Sequence, residues 1–206
     1  MPGRLDYRVI EDYVGPGAKV LDLGCGDGDL LGQLIREKGV NGCGVDIDLE
    51  EVQKCIARGV PAYHGDMLEG MAMFEDGRFD CVILSQTLQQ TLSPWHVIQE
   101  MLRVGRRAII SFPNFGHWRV RMQLLLGGRM PVTRALPHQW YETPNIRVLT
   151  IKDFLDLCRE LDLRIIDRIY LTPDYRRLPS FLANLLASMA IFVVERRSPA
   201  GRSGNG

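Results

Sequence analysis

The chain has 206 residues, 46% of them apolar, which suits one large domain with a real core and excludes global disorder. Its 25 Lys plus Arg cancel its 25 Asp plus Glu, which argues against a dedicated binder of polyanions. The zero hides a split, because residues 1–100 carry 8 basic and 17 acidic side chains and residues 101–206 carry 17 and 8. Arg supplies 21 of the basic residues, and its planar fork suits carboxylate or phosphate. The five Cys are scattered with no C-x-x-C pair, so reduced core thiols in a cytoplasmic protein are expected rather than a zinc site or a disulfide framework. The N-terminal residues carry no apolar signal core. The longest apolar stretch, Phe181 to Val194, is 14 residues, too short to span a membrane.

Leu5, Val9, Ile10 and Tyr13 follow a helical spacing, ended by Gly15-Pro16-Gly17. Ala18 to Leu23 reads as a buried strand running into a glycine-rich turn. A helix through Leu30, Leu31, Leu34 and Ile35 follows, then a strand from Val40 to Ile47. Asp48 is placed to cap the next helix, with Glu51 as its reciprocal partner. Pro61 to His64 reads as a short strand. Phe79 to Leu84 is a nearly continuous apolar run, as in a strand buried on both faces. Ser93-Pro94 starts a helix through Leu102, and Arg107 to Phe112 is the fifth strand.

Residues 113–149 break the rhythm with a helix at about Gly116 to Leu126, then Gly127-Gly128 and three prolines. An insertion of this length in a compact domain is expected to be functional or mobile, here a lid over the site. Thr150 and Asp153 resemble a capping box for a helix through Leu161. Leu163 to Leu171 and Ala190 to Glu195 read as the last strands. The alternation predicts an α/β fold, a mostly parallel sheet with helices on both faces, in one domain over 1–197 with a disordered tail at 198–206.

The informative string is Val20-Leu-Asp22-Leu-Gly24-Cys25-Gly26-Asp-Gly28, joining the first strand to its helix. Glycines there allow a tight turn and a close approach of backbone to ligand. A dinucleotide loop would place its third glycine at position 29, which is Asp. Asp22, Asp27 and Asp29 would repel a pyrophosphate and favour a ligand with a cationic centre. S-adenosylmethionine carries a sulfonium and an ammonium group.

The pattern D-x-G-x-G-x-G resembles the signature of class I S-adenosylmethionine-dependent methyltransferases. That resemblance implies a Rossmann-like doubly wound sheet of seven strands with an antiparallel last strand. It also implies a cofactor site from Asp22, Gly24, Cys25, Gly26 and Gly28. Asp46, with Ile47 beside it, would hold the ribose hydroxyls, as in dinucleotide folds. Asp66 would meet the adenine amino group with Met67 on the ring, and Ser85 and Gln86 would face the methyl group. Taken singly, Asp46 and Asp66 also read as helix caps or turn residues, and Cys25 as a small residue filling the turn. S-adenosylhomocysteine would be the product form.

Further strings are similar to the methionine biosynthesis protein MetW family, namely Leu21 to Gly28, Gly44 to Ile47, Leu84 to Gln90, Ser111-Phe-Pro-Asn-Phe-Gly-His-Trp118 and Trp140-Tyr-Glu-Thr-Pro-Asn-Ile-Arg147. This resemblance runs from about residue 5 to 195. It implies a cytoplasmic protein that acts with homoserine O-acyltransferase and has no assigned methyl acceptor.

Methyl transfer needs alignment more than acid–base help. On the acceptor side the candidates are Gln86, His117, Trp118, His138, Trp140 and Tyr141, with His117 and Tyr141 the candidates for catalysis. The tryptophans and Tyr141 either wall a pocket or pin the insertion to the core. At roughly 100° per residue Arg119 and Arg121 fall on different faces of their helix. With Arg129, Arg134 and Arg147 they are either solvated or face an anionic acceptor or an acidic partner. No Asn-Pro-Pro-Tyr follows the fourth strand, no basic run marks a nucleic-acid surface, and no cluster suggests a metal. The expected function is a methionine-pathway protein that binds S-adenosylmethionine and supports the acyltransferase. A small-molecule methyltransferase is the alternative, and a nucleic-acid methyltransferase or a membrane protein is not expected.

Overall fold

The structure is a computed structural model that describes residues 5–133 and 135–197. The tail, Arg134 and the Leu5 side chain lie outside what is described. Seven strands form one sheet: β1 (Lys19–Leu23), β2 (Asn41–Asp46), β3 (Ala62–His64), β4 (Phe79–Ser85), β5 (Gly105–Pro113), β6 (Leu163–Leu171) and β7 (Met189–Arg196). Their order is β3-β2-β1-β4-β5-β7-β6. The first five strands pair in parallel, and β7 runs antiparallel between β5 and β6.

Eight α-helices are described: α1 (Leu5–Glu11), α2 (Asp29–Lys38), α3 (Leu49–Ala57), α4 (Met67–Ala72), α5 (Pro94–Val104), α6 (Trp118–Gly127), α7 (Ile151–Glu160) and α8 (Ser180–Leu186). The capping box on α7 forms as its spacing predicts, with Thr150 and Asp153 each bonding the other's backbone N–H. Asp48 caps α3, but the reciprocal arm is missing. The Glu51 carboxylate turns instead to the Lys54 ammonium at 2.5 Å, where it gains a charged partner. The spacing did not reveal α4 and α8, because six and seven residues are too few to show a helical period.

Both faces of the sheet are covered, which is why β4 and β5 read as continuous apolar runs. On one face Leu21, Leu84, Ile110 and Phe112 pack against α5 and α7 through Ile98, Met101 and Phe154. On the other, Val20, Ile83, Ile109 and Ile191 meet α1 and α2 through Ile10, Leu31 and Leu34. Phe112, Phe154 and Phe192 form an aromatic cluster with ring centroids 4.6–5.9 Å apart. Phe192→Ala should cost about 3–5 kcal/mol, because a close-packed cluster cannot collapse into the void. Thermal unfolding should show it as a fall of roughly 10 °C.

All five cysteines are free. Among the described residues no helix is long and apolar enough to cross a membrane.

The parallel strands point their C-terminal ends one way, so the β1–α2 loop, the end of β2, the β3–α4 loop and the β4–α5 loop meet along one edge. In open α/β sheets this crevice is where ligands bind.

Candidate functional site

The β1–α2 loop is shaped by three glycines with left-handed backbone, Gly24, Gly26 and Gly28. At Gly24 a Cβ would lie 2.7 Å from the Thr87 hydroxyl, so the loop presses against the β4 loop. At Gly26 a Cβ would project into open space, its nearest neighbour being the Glu51 carboxylate at 3.9 Å. A ligand can therefore approach the backbone at Gly26 as closely as no side chain would allow. Gly26→Ala should leave the fold near wild type, apart from about 1 kcal/mol of backbone strain. Calorimetry should nevertheless show S-adenosylmethionine binding at least tenfold weaker, since the methyl group occupies the approach path.

Two carboxylates sit beside this loop. Asp46, at the end of β2, accepts the Gly26 N–H at 2.7 Å through Oδ2 and the Asp48 N–H at 2.9 Å through Oδ1. Each oxygen keeps lone pairs for a further donor. Ile47 beside it is solvent-exposed. Asp22 alternates onto the same sheet face as Val20 and is 2% exposed. Among the described residues nothing donates a hydrogen bond to its carboxylate. Burial, and then the negative charge of Asp46, push its pKa up from 3.8 to about 7. An isolated buried carboxylate beside a second one is costly unless a cationic ligand completes it.

Cys25 lies within the loop, and its buried thiol is pushed far above the ordinary range, first by desolvation and then by Asp22. Such a thiol stays protonated and inert, and it fills the space beside Gly44.

Asp66 caps α4, accepting the Leu68 N–H at 2.8 Å through Oδ1. The cap reading therefore holds for Asp66, and its second oxygen remains open. Met67 behind it packs against the core. Ser85 closes β4, with its hydroxyl 3.3 Å from that of Ser111.

Gln86 adopts a left-handed backbone, held by its N–H to the Ser111 carbonyl at 2.9 Å. Its amide nitrogen donates to the Asp6 carboxylate at 2.9 Å. This tie between α1 and the β4 loop spans 80 residues of sequence, and no local pattern could have disclosed it.

Beyond Gln86 opens a cavity of about 730 Å³. The insertion lines it with Pro113, Asn114 and the start of α6 from His117 to Val120, and with Thr133, Ala135, Leu136 and Pro137. The far wall comes from the β6–α8 loop, Thr172 to Tyr175 and Leu178, which the sequence did not single out. His117 and Trp118 line this cavity. His138, Trp140 and Tyr141 do not; the last two are 70% and 65% exposed and stack edge to face on each other.

The family strings also have structural duties. Asn114 is 2% exposed and joins three elements. Its Nδ2 donates to the Ala187 carbonyl at 2.8 Å and the Asn184 carbonyl at 3.3 Å. Its Oδ1 accepts the N–H groups of Gly116 at 2.9 Å and Ile151 at 3.3 Å. The Gln89 carbonyl accepts the N–H groups of Ile146 at 3.0 Å and Arg147 at 2.9 Å, and the Arg147 guanidinium donates to the Leu92 carbonyl at 2.7 Å. The insertion is thus fastened at both ends, and Arg147 is spent on that fastening. Arg121 bonds the Gly116 carbonyl at 2.6 Å, while Arg119 lies over the Trp118 ring and lines the cavity. Among the described residues no group of His, Cys, Asp and Glu is arranged for a metal ion.

Comparisons with known proteins fit this architecture. The chain is 34% identical over 205 residues to the bifunctional methionine biosynthesis protein MetXA/MetW of Rhodopirellula baltica, covering 94% of this chain and 33% of that one. It therefore spans about a third of that relative's length. It is 30% identical over 150 residues to the ubiquinone biosynthesis O-methyltransferase of Hahella chejuensis, covering 68% and 61% of the two chains. Among solved structures, a SAM dependent methyltransferase from Archaeoglobus fulgidus superposes with a TM-score of 0.70 at 14% identity, over 93% and 91% of the two chains, a likeness of fold. The family model for methionine biosynthesis protein MetW matches residues 4–194. The chain belongs to the methionine biosynthesis protein MetW family, on a class I methyltransferase fold.

Proposed function

We propose that this protein binds S-adenosylmethionine at the β1–α2 loop and supports or regulates homoserine O-acyltransferase in methionine synthesis, in the cytoplasm. The observation that carries the ligand is Asp22, a nearly buried carboxylate without a hydrogen-bond partner among the described residues, set beside Asp46 and an open glycine backbone. A ligand bearing sulfonium and ammonium groups neutralises that pair, whereas a diphosphate would worsen it. In this reading Asp46 accepts the ribose hydroxyls, and Ile47 and Met67 flank the adenine. Asp66 accepts the adenine amino group with its open oxygen, and Ser85 and Gln86 border the methyl end. Gly24, Cys25, Gly26 and Gly28 shape the loop. The partnership is supported by the relative whose single chain carries both names, MetXA and MetW. Fusion raises the effective concentration of two units that work together.

Titration calorimetry with S-adenosylmethionine, with and without the acyltransferase, tests both parts. A ligand that regulates must bind the free and partner-bound forms with different affinity. Equal affinity in the two titrations, together with unchanged acyltransferase activity, would sink the regulatory reading. Absence of any heat of binding would sink the ligand.

A second reading is methyl transfer to a small molecule, favoured by the cavity beyond Gln86. The bound cofactor would supply an activated methyl group, and the chain's residues would align the acceptor and exclude water. Labelled S-adenosylmethionine and a metabolite extract should then yield a labelled product and S-adenosylhomocysteine.

A further inference from the structure

The cavity beyond Gln86 carries a chemical signature of its own in the first turn of α6. His117 is the N-cap of that helix, and its Nδ1 accepts the Arg119 N–H at 3.3 Å. Burial and the nearby Arg119 charge hold the imidazole below its ordinary 6.5, so the ring is neutral at pH 7. A neutral ring whose Nδ1 accepts must carry its proton on Nε2. The His117 side chain is 6% exposed and lines the cavity, and among the described residues Nε2 has no acceptor. His117 is therefore a fixed donor facing the cavity, and it is badly placed to act as a base, because taking a proton on Nδ1 would break the cap.

Two further features share its sign. His117, Trp118, Arg119 and Val120 all line the cavity, so the positive end of the α6 dipole points at it. Arg119 adds a full positive charge at the rim, lying over Trp118 with 5.4 Å from guanidinium to ring centre. The acidic group in the lining, Asp174, already interacts within the chain. Most of the remaining wall is apolar, from Pro113, Leu136, Leu178, Leu186 and Met189.

We propose that this cavity binds a small organic carboxylate with an apolar body, its carboxylate oxygen held by His117 Nε2–H and Arg119 and its body against Leu136, Leu178 and Met189. The proposal rests on the reading that the cavity receives a second molecule, and it stands whether that molecule is a methyl acceptor or an effector. His117 is then a positioning donor, and exchange of the carboxylate for an uncharged or cationic group removes the charge-assisted bonds.

The test uses hexanoate, hexanamide and hexylammonium as probes on the whole protein, by chemical-shift titration of the His117 ring with and without S-adenosylhomocysteine. Hexanoate is expected to bind in the order hexanoate, hexanamide, hexylammonium, and to shift the Nε2 resonance. Asn at an N-cap accepts the same backbone N–H, so His117→Asn keeps the helix start, while its shorter amide cannot place a donor where Nε2–H stood. It should weaken hexanoate about tenfold, a loss in line with one hydrogen bond to a charged group. Arg119→Met, which keeps the stem over Trp118, should do the same and serves if the first variant is unstable. Hexylammonium binding as well as hexanoate would overturn the proposal. So would unchanged hexanoate affinity in both variants, or no binding at about 10 mM probe, above the dissociation constant of even a weak small ligand. Failure of S-adenosylhomocysteine to bind, with hexanoate binding intact, would instead count against the cofactor reading alone.

Discussion

Asp22→Asn is expected to stabilise the ligand-free protein above pH 7 and, in the same molecule, to remove most of its affinity for S-adenosylmethionine. The Asp22 pKa lies at about 7 in the fold against 3.8 for the free side chain, because burial and Asp46 oppose its charge. Between those values the folded state holds a proton that the unfolded chain has released. Stability is therefore fully present below about pH 4, falls as pH rises toward 7, and levels off above it. The ionised group costs at most about 4 kcal/mol at pH 8, from roughly three pKa units at 1.36 kcal/mol each. Asparagine keeps the shape without the charge, so melting curves of the variant should lose this pH dependence and rise by several degrees at pH 8.

Ligand binding runs in the opposite direction. A cationic ligand needs Asp22 ionised, so wild-type affinity should grow about tenfold per pH unit up to pH 7 and then flatten. The variant should bind weakly with no such slope. Melting curves and calorimetry from pH 5.5 to 8.5 give both readouts from one preparation. A wild-type affinity that does not change with pH would show that Asp22 does not face the ligand. Stability withheld at a ligand site is a common trade against function.

Asn114→Ala should be the most damaging single change outside the aromatic core, at about 3–5 kcal/mol, since it removes a hydrogen bond from backbone groups of four residues, three of them in buried bonds. Thermal denaturation should show a drop of roughly 10 °C. The damage should concentrate where Asn114 acts. Hydrogen exchange at Gly116, Ile151 and the end of α8 should accelerate more than in β1 or β4. Uniform loss across the sheet would contradict the view of Asn114 as the clasp between β5, α7 and α8. Because α6 begins just beyond this clasp, hexanoate binding in the cavity should weaken together with the local protection.

The two families of motif differ in how plainly they speak. Gly24, Gly26 and Gly28 could be read directly, because a turn with left-handed backbone needs those residues at that spacing, and Asp22 and Asp46 stand at fixed offsets from it. The string ending in His117-Trp118 announced importance without saying of what kind. Its Asn114 turns out to be a structural clasp, while His117 faces the cavity. Trp140 and Tyr141 illustrate the converse. As aromatics in an insertion they were candidates for a pocket wall, yet both lie outside the cavity, where the Gln89 and Arg147 bonds hold the following segment. The opening charge split keeps part of its meaning. The acidic half does hold Asp22, Asp46 and Asp66, but in the basic half Arg147 and Arg121 are engaged by backbone carbonyls, and among the described residues Arg119 is the arginine that lines the cavity.

By itself the sequence determined the alternation of strands and helices, the glycine loop and the carboxylates around it, because these depend on periodicity and on backbone rules a few residues long. Only the tertiary structure decided which residues meet across large separations. The Asp6–Gln86 tie, the far wall from Thr172 to Leu178 and the tautomer of His117 all depend on the packing of elements distant along the chain. Hydrogen bonds and cavities are properties of three-dimensional neighbours, and one-dimensional spacing carries no record of them.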